Sequence, residues 1–99
     1  MRITDKQVRV IKQELINQFG QNASVWLFGS RVDDEKKGGD IDLYIETDHP
    51  VQNRASAAAQ FSGRLQRKLG DQKIDVILTD PQTLRLPIHD AALQEGIRL

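Results

Sequence analysis

The sequence predicts an α+β fold, a small mixed and twisted sheet with helices packed on one face. Three observations predict it. Two stretches, residues 5–19 and 53–69, repeat apolar side chains at helical spacing. Three short β-rich stretches, at 24–28, 40–46 and 73–78, are separated by glycine, proline and polar turns. The resulting order, α, β, β, α, β, α, mixes the two kinds of element within 99 residues, enough for one domain spanning 1–99 with one modest core.

The first helix has a start and a stop. Thr4 with Gln7 fits a capping box, Val8, Ile11, Leu15 and Phe19 form the apolar stripe, and Gly20 ends it. Ser24-Val25-Trp26-Leu27-Phe28 is the first strand, and Trp26 and Phe28 are expected to face the core. A polar loop follows Gly29-Ser30, carrying the charge run at 33–37 and then Gly38-Gly39. The second strand alternates strictly: Ile41, Leu43 and Ile45 on one face, Asp40, Asp42 and Tyr44 on the other.

Pro50 marks the next turn. The second helix carries Ala58, Phe61, Leu65 and Leu69 as its stripe and closes at Gly70. Gly63 within it costs on the order of 1 kcal/mol against alanine. Lys73 to Leu78 is the third strand. Asp80-Pro81 is expected to start a short helix, with Asp80 as N-cap. Pro87 interrupts it, and 87–95 is a last helix ending at Gly96.

Composition removes several function classes. There is no cysteine, so disulfides, thiolate zinc sites and cysteine nucleophiles are excluded. Fourteen basic residues balance fourteen acidic ones, which disfavours extended nucleic-acid binding. No apolar run approaches the roughly 20 residues needed to cross a bilayer, and the first residues lack the apolar core of a signal peptide. A cytoplasmic protein without membrane contact is the expectation.

The chemistry lies in the acidic residues. Asp40 and Asp42, two apart on a strand, project from the same side with Cα atoms roughly 7 Å apart. Paired anions repel, and a divalent cation relieves that repulsion; hard oxygen donors without histidine or cysteine suit Mg²⁺. Asp75 lies in an apolar strand where β-propensity disfavours it. If that strand pairs beside the second, three carboxylates converge, a set able to hold two metal ions roughly 3.5–4 Å apart. Read singly, Asp40 and Asp42 are a solvated strand face, and Asp75 is an edge residue or a salt-bridge partner of Lys73 or of an arginine.

Gly29-Ser30 sits where an apolar strand ends. A residue without Cβ lets the backbone approach a ligand, and exposed N–H groups at such a turn form an anion site. The Ser30 hydroxyl adds a donor, and Arg31 offers positive charge to a triphosphate. Alone, the pair is an ordinary turn, and Arg31 a surface salt-bridge residue.

Taken together, Leu27-Phe28-Gly29-Ser30-Arg31, Gly39-Asp40-Ile41-Asp42-Leu43 and Ile74-Asp75-Val76 resemble the DNA polymerase β-type nucleotidyltransferase superfamily, and within it the minimal nucleotidyltransferase (MNT) group. The nine residues between Ser30 and Asp40 make the loop one residue shorter than is common in that family. The resemblance implies the polymerase β palm-like fold. It implies that Gly29 and Ser30, with Arg31 beside them, hold the phosphates of a nucleoside triphosphate. It implies that Asp40, Asp42 and Asp75 bind Mg²⁺, in a two-metal site, with Asp75 as candidate general base. The implied reaction transfers a nucleoside monophosphate, AMP from ATP, to a hydroxyl and releases pyrophosphate.

Only residues 81–99 follow the third strand, so the acceptor is expected to come from another chain or from a second copy of this one. MNT-group proteins pair with small helical HEPN-domain proteins as toxin–antitoxin modules. The resemblance therefore implies an antitoxin that adenylylates a HEPN partner. The alternative is a non-catalytic, nucleotide-binding antidote that neutralises its partner by occlusion; the intact acidic set favours the enzyme. Ile88, Leu93, Ile97 and Leu99 either form an apolar docking edge or close the core. His49 and His89 stand at no ligand spacing and are expected at the surface, Arg64, Arg67 and Lys68 form a solvated helix face, and Tyr44 shares the aspartate face.

Overall fold

The structure is a computed structural model that describes residues 3–32, 40–70 and 72–99, and of Ser30 only the backbone. The charge run at 33–37 and Gly38-Gly39 lie outside the described residues. The described elements run α1 (Asp5–Phe19), β1 (Ser24–Phe28), a 3₁₀ turn (Gly29–Val32), β2 (Ile41–Glu46), α2 (Arg54–Leu69), β3 (Ile74–Thr79), α3 (Pro87–Glu95) and β4 (Ile97–Arg98).

Local sequence chemistry accounts for the helix ends. The Thr4 hydroxyl accepts from Gln7 N–H at 3.1 Å, and Thr4 N–H donates to Gln7 Oε1 at 2.9 Å. This reciprocal box satisfies two donors that a helix start leaves unpaired. Asn53 caps α2 by accepting from Ser56 N–H at 3.0 Å.

The sheet order is β3-β2-β1-β4. β1 pairs antiparallel with β2 and β4, and β2 pairs parallel with β3, so the sheet is mixed. On one face, Val25, Leu27, Ile41, Leu43, Ile45, Ile74 and Leu78 meet Ile11, Leu15 and Phe19 of α1 and Phe61 and Leu65 of α2 in one core. Glu14 is buried at the α1–α2 seam, where Lys68 Nζ approaches it to 2.7 Å and Arg64 to 3.7 Å. Two of the three basic residues of the α2 face are therefore inter-helix ties.

The two long helices share one face as expected, but α3 lies across the other. The Tyr44 ring is fully buried, with centroids 5.7 Å from Trp26 and 6.0 Å from His89 of α3. The α1–α2 core is thus built on Val25 and Leu27, while Trp26 and Phe28 project from the opposite face, beside Tyr44 and Asp42 respectively. A strand apolar at every position from 25 to 28 has no alternation to choose a face, and it is covered on both sides.

His89 is buried rather than at the surface, because its Nδ1 accepts from Leu86 N–H at 3.2 Å while its ring packs on Tyr44. His49 is exposed and pairs with Asp48 at 2.8 Å. No helix forms directly after Asp80. Its carboxylate accepts from Val51 N–H at 2.8 Å, Gln82 N–H at 3.0 Å and the Thr83 hydroxyl at 3.0 Å, making a local turn tied to the segment before α2. Pro87 then restricts Leu86 to extended backbone (φ −116°, ψ 156°), and α3 starts at the proline. The short β4 was not evident in the sequence: two residues carry no periodicity. It pairs Arg98 with Trp26 and Ile97 with Leu27. No described helix is long and apolar enough to cross a membrane.

Candidate functional site

The site is assembled by strand register. Phe28 of β1 stands opposite Asp42 of β2, and Asp42 stands opposite Asp75 of β3. Cross-strand partners share a face, so the two carboxylates emerge side by side on the α3 face. Asp40 precedes β2 at a point where Ile41 N–H still bonds Lys73 C=O at 3.1 Å, continuing the parallel ladder. α3 covers Trp26 and Tyr44 but leaves this end open: Asp40 and Asp75 are about half exposed.

Gly29 closes the near side. It opens the 3₁₀ turn with φ +76°, a region L-residues rarely adopt, and a Cβ there would run into Asp42 Oδ2 and lie 3.2 Å from Asp42 Cγ. The turn backbone and the Asp42 carboxylate are in contact only because the residue is glycine. Arg31, in the same turn, donates to Gln72 Oε1 at 3.2 Å, which links the turn to the lead-in of β3.

The electrostatics follow from this crowding. The Asp42 carboxyl is pushed above the usual carboxylate range by burial first, then by the charges of Asp75 and Asp40. Lys73 acts in the opposite sense, and a hydrogen bond with Asp75 favours the protonated form. Lys73 Nζ is 3.7 Å from Asp40 Oδ2 and 4.0 Å from Asp75 Oδ2. Among the described residues no three histidine or acidic side chains stand as a ready-made metal cage. The donor set still fits a hard divalent cation. It consists of carboxylate oxygens, and one of its carboxyls, Asp42, is held above the usual range by burial and by the charges of its two acidic neighbours.

A separate cavity of about 200 Å³ opens at the other ends of β2 and β3, lined by Glu46, Thr79, Asp80, Thr83, Arg85 and His89 among others. Arg85 is already paired there with Glu46 at 3.6 Å and with Asp90 at 2.8 Å. The aspartate group lies roughly 13 Å away along the strand.

With this geometry in view, the sequence matches the nucleotidyltransferase domain family over residues 8–97. The chain belongs to that family. No functionally curated protein matches this nucleotidyltransferase domain in sequence. Its fold is similar to that of solved toxin–antitoxin structures. One is a mutant form of the MntA–HpeT toxin–antitoxin, with TM-score 0.66, 17% identity, and coverage of 93% of this chain and 70% of that one. Another is a tri-AMPylated Shewanella oneidensis HEPN toxin in complex with MNT antitoxin, with TM-score 0.65, 20% identity, and coverage of 93% and 66%. The chain therefore spans 66–70% of the length of these neighbours.

In this nucleotidyltransferase domain, Asp42, Asp75 and Gly29 lie on one patch of one face, Asp40 joins them through its contact with Lys73, and Arg31 is in the adjoining turn. The Ser30 side chain is outside the described residues. Tyr44, which shares that face, is sealed beneath α3, donating to Glu46 at 2.9 Å and meeting Thr79 at 3.3 Å. Lys73 is a site residue that the sequence marks only as one ion-pair partner for Asp75. The available signal was its position two before Asp75 in an extended strand, which sends both side chains to one face.

Proposed function

We propose that this domain is a Mg²⁺-dependent transferase of the minimal nucleotidyltransferase group, moving a nucleoside monophosphate, AMP from ATP, to a hydroxyl on a partner protein. The observation that carries this reading is the parallel register that sets Asp42 against Asp75 beside the Gly29 turn. Asp40, Asp42 and Asp75 would hold the metal. Bound there, Mg²⁺ supplies charge neutralisation for the triphosphate and alignment of an in-line displacement.

The chain's own residues do the rest. The Gly29–Val32 turn presents backbone N–H groups to the phosphates, and Gly29 keeps that backbone within reach of Asp42. Asp75, the more exposed member of the Asp42–Asp75 pair, takes the proton of the acceptor hydroxyl. The acceptor oxygen forms a bond to the α-phosphorus, the bond to the bridging oxygen breaks, and pyrophosphate leaves. The transfer is direct, and the domain's contribution is position and charge.

The acceptor is a protein, brought by a small helical partner of the HEPN kind. Both solved neighbours are toxin–antitoxin structures, and one contains a HEPN toxin carrying AMP groups. Exposed apolar side chains in and just before α3, Leu84 (78% exposed), Ile88 (54%) and Leu86 (47%), support a docking role for this side of the domain. Ile97 is also exposed, whereas Leu99 packs on the core. The balanced charge argues against nucleic acid as acceptor.

The test is incubation with a HEPN partner, Mg²⁺ and ATP labelled at the α-phosphate. Intact mass should rise in steps of one AMP, and Asp42→Asn should abolish the gain. If Asp42→Asn neutralises the partner as fully as wild type, occlusion replaces catalysis as the function.

A further inference from the structure

Lys73 stands between two carboxylates of the site. It precedes β3, two positions before Asp75, and its ammonium stands 3.7 Å from Asp40 and 4.0 Å from Asp75. It therefore spans two carboxylates, one just before β2 and one in β3, the two strands of a parallel pair. Its charge also opposes the rise in the third carboxyl, Asp42. All three acidic groups of the site feel this one cation.

We propose that Lys73 is the internal counter-ion of the carboxylate site, holding Asp40 and Asp75 together until a divalent cation displaces it, and so setting the metal concentration at which the site loads. This rests on the metal-binding reading above. Without Lys73, Asp40 and Asp75 lose the ammonium that stands between them. With it, the net negative charge facing an incoming cation is smaller by one. The ammonium and a divalent ion compete for the same oxygen lone pairs, so they do not occupy them together. Displacement is easy, because Lys73 is 68% exposed and both contacts are long for an ion pair. A lysine on its flexible stem can withdraw into water, where a shorter side chain in the same place could not.

Lys73 is thus a positioning residue, and its action is read in metal affinity, without turnover. Mn²⁺ and Mg²⁺ are titrated into the full chain by calorimetry, with free Mn²⁺ followed by electron paramagnetic resonance. Wild type, Lys73→Gln, Lys73→Arg and Asp42→Asn are compared. Removing one positive charge a few ångströms from a divalent ion in screened, watery surroundings should tighten binding roughly 3- to 10-fold. Lys73→Gln should show that gain, most clearly at low salt. Lys73→Arg keeps the charge and should stay within about twofold of wild type. Metal-free Lys73→Gln should melt below wild type and recover on adding Mg²⁺. Equal or weaker affinity in Lys73→Gln, with wild type binding normally, overturns the counter-ion and leaves the metal site standing. If wild type binds neither ion and Asp42→Asn behaves identically, the metal-binding reading falls, and the counter-ion with it.

Discussion

The contact between Gly29 and Asp42 can be measured as a free energy. Gly29→Ala introduces two separate costs. The backbone cost arises because φ is +76°, and an L-residue there loses roughly 1–2 kcal/mol. The second arises because the new methyl collides with Asp42 Oδ2, so either the carboxyl rotates away or the turn shifts. Neighbouring groups forced apart couple by roughly 0.5–3 kcal/mol. The variant should lose about 1.5–5 kcal/mol in all, and with about 4–8 °C lost per kcal/mol its melting temperature should fall by roughly 6–40 °C. Gly20→Ala is the control. Gly20 has φ +91° but open space where a Cβ would go, so it carries the backbone cost alone. The assay is urea unfolding of wild type, Gly29→Ala, Asp42→Ala and the double variant. In the Asp42→Ala background the carboxyl is absent, and Gly29→Ala should cost only its backbone share of about 1–2 kcal/mol. A coupling below about 0.5 kcal/mol would mean that the two residues do not touch in solution, and the argument for a turn pressed on the carboxylate would be wrong.

Other outcomes follow from the same structure. Asp42→Asn should stabilise the metal-free domain at neutral pH by less than about 1 kcal/mol, since water screens these half-open groups, while abolishing nucleotide transfer. The sign follows from the raised Asp42 value. The folded state binds the proton more readily than the unfolded one, so stability declines as pH rises through the window above the ordinary aspartate value. Melting curves of the two proteins should therefore converge in acid and separate above that window. Asp80 behaves oppositely. The N–H of Val51 above all, with Thr83, Gln82 and Arg54, holds its carboxyl below the usual range. Its contribution is present above the ordinary aspartate value and disappears as pH falls through its lowered one, so Asp80→Asn should flatten the acid limb of a stability profile. Lys68→Ala should cost about 0.5–1.5 kcal/mol in urea unfolding by leaving buried Glu14 with only its longer Arg64 contact. Leu84→Asp with Ile88→Asp should leave the melting temperature within a few degrees of wild type, because both side chains are exposed. The same pair should weaken capture of a HEPN partner at least tenfold; undiminished capture would move the docking surface elsewhere.

Most of the elements were legible because their causes are local. The Thr4 box, the stripe from Val8 to Phe19 and the Gly20 stop gave α1 its observed limits, and the alternation from Ile41 to Ile45 gave β2 both its extent and its two faces. Capping, 3.6-residue periodicity and two-residue alternation act over a few bonds, so the chain carries them without reference to the rest of the fold. The short helix expected after Asp80 shows the limit. A carboxylate next to proline is a good cap in isolation, but Asp80 bonds Val51, 29 residues away. The faces of Trp26 and Phe28 and the burial of His89 were decided by where α3 lies, which no residue near 26 encodes.

For the site, sequence alone determined the chemical inventory: three aspartates, a Gly-Ser turn, no cysteine and no basic excess. It also determined that Asp40 and Asp42 share a face, because alternation is a property of a single strand. Only the tertiary structure decided that Asp75 stands opposite Asp42, and not one residue along, where it would face the α1–α2 core. That choice is made by packing across the chain. Ile74 and Leu78 fill the core only in the register that turns Asp75 outward, and the same register brings Lys73 against Asp40.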